Sequence, residues 1–163
     1  MIALGEIVRD LVSEVATTYG KEIFYDYGHP IEIINNLAAK TNGGKHSDKY
    51  PMIALFLDAD ETENLNNVKR EATINLVIVA ESNQNFSATE RTTEVFNLVL
   101  IPIFEALKKN LTFGTVIRAN EIDFNFRYSW GKTGVYGNTA NIFNDFVDAI
   151  EIKNLKIEIL KTC

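Results

Sequence analysis

The stretch Ala72-Thr73-Ile74-Asn75-Leu76-Val77-Ile78-Val79-Ala80 decides the fold. Ala72, Ile74, Leu76, Ile78 and Ala80 recur at period two on one face, with Val77 and Val79 on the other. That period is the mark of a strand, and this is the strongest one in the chain. Upstream, Met52 to Leu57 is a continuous apolar run, as expected of a buried strand. The acidic, Asn-rich residues 58–67 between the two runs read as a loop, as do residues 41–50, which have no hydrophobic period. Further upstream, Ile23-Phe24-Tyr25 reads as a short strand. Pro30 opens either a short helix carrying Ile31, Ile34, Leu37 and Ala38 or, from the spacing of Ile31 and Ile33, another strand. Leu4, Ile7, Val8, Leu11, Val12 and Val15 stand at helical spacing before Gly20, which predicts an amphipathic helix over 3–19.

Downstream, Ser87-Ala88-Thr89-Glu90 is a capping box that opens a long helix to about Asn110. Val95, Leu98, Val99, Ile103 and Leu107 form its apolar stripe, and Pro102 is expected to kink or divide it. Residues 115–130 read as extended. Ile122, Phe124, Phe126, Tyr128 and Trp130 alternate with Asp123, Asn125, Arg127 and Ser129, so one face is buried and one wet. Residues 131–138 hold three glycines and read as a loop, residues 142–152 fit helix or strand, and Leu155, Ile157 and Ile159 make a final strand. Strands in runs with helices apart predict an α+β fold in one domain over 1–163: a mixed or antiparallel sheet packed against two or three helices.

Composition narrows the function. The 163 residues carry 16 Lys and Arg against 22 Asp and Glu, a formal charge of −6. Such a chain repels phosphate backbones at long range, which argues against gripping nucleic acid by charge. The single cysteine, Cys163, can form neither an internal disulfide nor a cysteine metal site. Glu6, Arg9 and Asp10 interrupt the apolar core that a signal peptide requires, and no run reaches the ~18 apolar residues of a membrane span.

Motifs with chemistry fail on spacing. Gly44-Lys45 and Gly131-Lys132-Thr133 suggest phosphate loops, but the required earlier glycine is replaced by Ala39 and Phe126. Asp58, Asp60, Glu61 and Glu63 crowd one segment, yet an EF-hand counted from Asp58 would need glycine at Glu63 and glutamate at Lys69. A solvated acidic turn is the plainer reading. His29 and His46 stand alone, and no G-x-S-x-G elbow exposes a serine. A hydrolase built from His46, Asp58, Asp60 and Asp148 is the weakest reading; no enzymatic activity, cofactor or metal is expected. The aromatic strand could stack bases, but its plainer role is to cover the core, with Tyr128 and Trp130 near its end suited to a subunit contact.

Several segments are familiar in combination and in this order. They are Lys49-Tyr50-Pro51-Met52-Ile53-Ala54-Leu55, Ile74-Asn75-Leu76-Val77-Ile78-Val79, the capped helix from Ser87 into Leu100-Ile101-Pro102-Ile103-Phe104, Tyr128-Ser129-Trp130-Gly131, and residues 141–150. Together they resemble the tail terminator family, small tail-completion proteins of phage and prophage. The resemblance implies an α/β subunit that forms a hexameric ring at the head-proximal end of a tail tube and joins it to the neck. It implies no catalytic residues. The implied partners are other copies of the chain, the tail tube protein and neck or connector proteins, with no membrane, and DNA at most passing through the lumen without specific binding. The implied location is the virion, after synthesis in a bacterial cytoplasm. The 58–67 and 131–141 loops look like additions to the family pattern. Contacts are expected from Lys45, His46, Tyr50, Asp58, Asp60, Tyr128, Trp130, Lys132 and Tyr136, which lie on or beside the polar loops. A ligand- or peptide-binding module remains the alternative.

Overall fold

The alternation at residues 72–80 does form the centre of a sheet. The computed structural model describes residues 2–64, 69–130 and 145–160. Its elements in chain order are α1 (Leu4–Tyr19), β1 (Phe24–Gly28), α2 (Pro30–Asn42), β2 (Met52–Asn64), β3 (Lys69–Glu81), a long helix α3 over 88–113, β4 (Ile117–Arg118), β5 (Phe124–Arg127) and β6 (Val147–Ile159). The sheet runs β1-β2-β3-β6-β4, and β5 also pairs with β6. Among the described residues β1 and β2 run parallel and the other pairs antiparallel, so the fold is α+β with a mixed sheet.

Both faces are covered because β3 and β6 are apolar on both. Ile74, Leu76 and Ile78 of β3 join Ile150, Ile152, Leu155 and Ile157 of β6 under the apolar stripes of α1 and α3. Val77 and Val79 join Met52, Ala54, Val147 and Ala149 on the opposite face, where Ile33 and Leu37 of α2 cover them. The predicted α1 stands as read. It ends at Gly20, whose φ of 84° is left-handed backbone that suits glycine. The open choice at Pro30 resolves to a helix: it buries Ile33 and Leu37 together while Asn35, which a strand would place on the same face, stays exposed.

Three readings change. The acidic segment is not a loop from residue 58: β2 continues to Asn64 and pairs with β3 down to Lys69, with a register shift between Phe56 and Asp60. A polar face does not stop a strand when its backbone has a neighbour to bond, and β3 supplies it. Residues 65–67 of that expected loop lie outside the described residues. The ambiguous stretch and the final strand prove to be one strand, β6, kept continuous past a register shift near Asn154, whose φ is 54°. In α3, Pro102 does not divide the helix. Residues Arg91–Leu100 take π-helical register before the α-helix resumes over Ile101–Phe113, and the Ile101 N–H donates to Phe96 O, five residues back. The wider turn makes room where the proline ring would press on the preceding turn. The capping box forms as read, with Ser87 N–H donating to Glu90 Oε2 at 2.8 Å and Glu90 N–H to Ser87 Oγ at 3.2 Å.

Candidate functional site

The sheet ends in two unlike edges. At one, β4 and β5 both pair with β6 and, among the described residues, with no other strand. Phe124, Phe126 and Tyr128 are 45%, 40% and 36% exposed, although their inner edges touch α3. Phe96 lies 5.1 Å from Phe126 and 5.0 Å from Tyr128 between ring centres, and Phe104 lies 4.6 Å from Phe124. The rings therefore stand as a ridge beside the helix, not as a floor beneath it. The sequence places them over the core; β5 is at the edge, so the helix reaches only half of each ring.

Trp130 does not belong to this ridge. Ser129 has φ 49°, and this one left-handed residue breaks the period-two alternation. The indole consequently joins the cluster under α2, 7% exposed and 6.3 Å from the Phe56 ring. Its Nε1–H donates to Glu151 Oε1 at 2.7 Å, while Arg127 Nε donates to Glu151 Oε2 at 2.7 Å. Burial of an aromatic with its polar tip satisfied is a packing role. The subunit contact expected of Trp130 has no exposed ring to use.

At the other edge, β1 pairs with β2 and, among the described residues, with no other strand. Beside it a cleft of about 480 Å³ is bordered by His29, Pro30, Glu32, Phe56 and Leu57. Leu57 and the nearby Ile31 are exposed. The cleft exists because α2 covers only one end of its face and β2 shifts register just beyond Phe56.

Two polar networks hold the end of the sheet nearest the ridge and α2. Lys49 is 1% exposed; its Nζ donates to Thr41 Oγ1 at 2.7 Å and pairs with Asp145 Oδ2 at 2.5 Å. Tyr50 Oη donates to the same Asp145 oxygen at 2.6 Å. Burial, and then the Asp145 carboxylate, push the Tyr50 phenol well above its ordinary value near 10. A cavity of about 130 Å³ adjoins this network, lined by Ile34, Leu37, Thr41 and Lys49 among others. The second network centres on Asp148, fully buried. Its Oδ1 accepts from Ser129 N–H at 2.8 Å and lies 3.7 Å from Arg91 Nη1, which itself donates to Ser129 Oγ at 2.9 Å. Sequence reading missed Lys49, Asp145 and Arg91; the one available signal was Asp148, a carboxylate set in an apolar alternation.

The expected contact residues scatter. Lys45 is exposed after α2, and Tyr50 is half-buried in the Lys49 network. Asp60 lies on the far arm of β2, in a groove of about 470 Å³ bordered by Lys69, Glu71, Arg118, Lys156 and Glu158. Tyr128 is on the ridge. Lys132, Tyr136 and the side chains of His46 and Asp58 lie outside the described residues. Asp60 and Asp148 oppose Thr73 and Ala80 of β3, seven residues apart along the strand, so roughly 23 Å separates them. They do not converge as the acid–base pair a hydrolase needs. Among the described residues no three His, Cys, Asp or Glu side chains gather as metal ligands would, and no helix is long and apolar enough to cross a membrane. No known family model matches the sequence, and no curated protein matches it.

Proposed function

We propose that this chain is a structural assembly subunit of the tail-terminator kind. In this reading it closes into a ring at the head-proximal end of a phage tail tube and presents a surface to the neck. One observation carries the reading beyond the sequence resemblance: among the described residues the two ends of the sheet differ in character, with an aromatic ridge at β5 and a cleft beside β1. A ring of identical subunits requires two different surfaces on each copy, whereas a twofold dimer requires one self-complementary patch. The partners are other copies of the chain, then tail tube and neck proteins. The net charge of −6 suits a lumen through which DNA slides without adhering. Multi-angle light scattering of the purified chain, alone and with tail tubes, together with negative-stain imaging, tests the reading. Closed rings, or caps at one tube end, are expected. A chain that stays monomeric in both conditions overturns it.

A further inference from the structure

We infer that the cavity beside the last turns of α2 binds a small neutral molecule, one with a carbonyl oxygen on a compact aliphatic body. The site lies within one chain and does not depend on the assembly reading. The cavity measures about 130 Å³, on the order of the space that accepts a benzene-sized molecule in a protein interior. Ile34, Leu37 and Ala38 of α2 form its apolar side, and Thr41, Lys49 and Asp145 its polar side. Water alone is a poor match. A buried water needs roughly two to four polar partners, and the three α2 side chains offer none.

Lys49 marks the polar end. Its side chain is buried, and its Nζ donates to Thr41 Oγ1 at 2.7 Å and pairs with Asp145 Oδ2 at 2.5 Å. Both of those groups line the cavity, so the ammonium between them stands in its wall. An ammonium carries three N–H donors. Two are taken, and the third meets no oxygen or nitrogen among the described residues; the Tyr50 ring, centred 5.6 Å from Nζ, presents only its π face. Thr41 is already used, since its hydroxyl accepts from Lys49 and donates to Leu37 O at 3.2 Å. A ligand oxygen gives the remaining N–H the acceptor that a buried donor requires.

Charge at this end selects a neutral ligand. Lys49 and Asp145 neutralise each other, and Tyr50 Oη donates to the same Asp145 oxygen at 2.6 Å. A carboxylate ligand would be repelled by Asp145, and a hydrocarbon would leave the N–H unmet. A carbonyl meets the N–H without adding charge. Thr41 and Asn42 both border the cavity and both are exposed, so it opens to solvent at the end of α2.

The test uses the full chain and three probes of similar size. They are cyclopentanone; methylenecyclopentane, which keeps the shape and lacks the oxygen; and cyclobutanecarboxylate, which adds a charge. Binding is followed by NMR through the amides of residues 30–42 and 49. Cyclopentanone is expected to give saturable shifts there with a Kd of roughly millimolar order. Both controls are expected to bind about tenfold more weakly or worse. Ala38→Leu adds bulk on the apolar side and leaves Thr41, Lys49 and Asp145 in place, so it is expected to keep the fold and abolish the shifts. Lys49→Met is expected to remove the preference for cyclopentanone over the hydrocarbon. Circular dichroism checks both variants, and either folded one suffices for the comparison. The site is overturned if cyclopentanone gives no saturable shift, which means a cavity holding water only. It is equally overturned if cyclopentanone binds no better than either control, still binds folded Ala38→Leu, or keeps its preference in folded Lys49→Met. None of these outcomes bears on ring assembly, which light scattering decides separately.

Discussion

Trp130 is decided by its neighbour. Period two along residues 122–130 assigns it to the face of Phe124, Phe126 and Tyr128, and the left-handed Ser129 sends it to the opposite one. Trp130→Ala is therefore expected to cost folding stability, about 3–5 kcal/mol, in a chemical-denaturation melt, before any question of assembly arises. Arg91 is a second case. Its guanidinium is, among the described residues, the cation paired with the fully buried Asp148 carboxylate, at 3.7 Å. Arg91→Met leaves that charge uncompensated and should lower stability by about 3 kcal/mol in the same melt. Tyr50 sets a pH dependence. Its folded-state pKa lies above the ordinary value near 10, so the folded chain holds the phenolic proton that the unfolded chain releases. The contribution is complete below pH 10 and is lost as pH rises above it. Unfolding melts from pH 9 to 11 should show stability falling. Tyr50→Phe should be less stable at pH 8, through loss of the Asp145 hydrogen bond, yet fall less steeply above pH 10. Tyr25, also raised by burial, keeps part of the slope in both proteins.

At the scale of elements, local signals were trustworthy wherever a motif closes on itself. The capping box of α3 is read directly from Ser87 and Glu90 and forms as read. Ser87→Ala should cost about 1 kcal/mol and loosen amide protection in the first turns of α3, as followed by hydrogen exchange. The other end of α3 is set by Gly114, where an added Cβ would overlap the Asn110 carbonyl oxygen. Gly114→Ala should therefore lower the melting temperature even though its φ of −70° is open to alanine. Element lengths were harder to read. Residues 58–64 are polar and resemble a loop, but their strand is held by backbone pairing to β3 and by Arg70, which donates to Glu61 and to the Ile2 carbonyl oxygen at 2.7 Å. Such support comes from residues distant in sequence and leaves no period to detect.

For the whole molecule, the two ends of the described sheet are the consequential feature. Exposed edges invite pairing or docking unless they are covered, and both carry apolar side chains here. If assembly proceeds through them, its extent should rise with protein concentration. Light scattering over a range of concentrations reads this directly. Contacts expected from Lys45 and Asp60 sit elsewhere, on the α2 end and on the β2–β3 arm. If β5 and the cleft form the ring seam, those residues are free to face tube or neck, and Asp60→Lys should leave the mass of the assembled ring unchanged.

By itself the sequence determined the α+β class, the helices α1 and α3 and the central strand β3. Each rests on periodicity within one segment, which depends only on residues a few positions apart. Tertiary structure alone decided that, among the described strands, β1 lies at one edge and β4 and β5 at the other, that α2 covers one end of its face and leaves a cleft, and that Phe126 stands out while Trp130 is buried. Those outcomes depend on strand order and on one left-handed residue. Both are set by the free energy of packing segments that lie far apart in the chain, such as Tyr50 and Asp145, 95 residues apart, or Glu14 and Thr115, 101 apart.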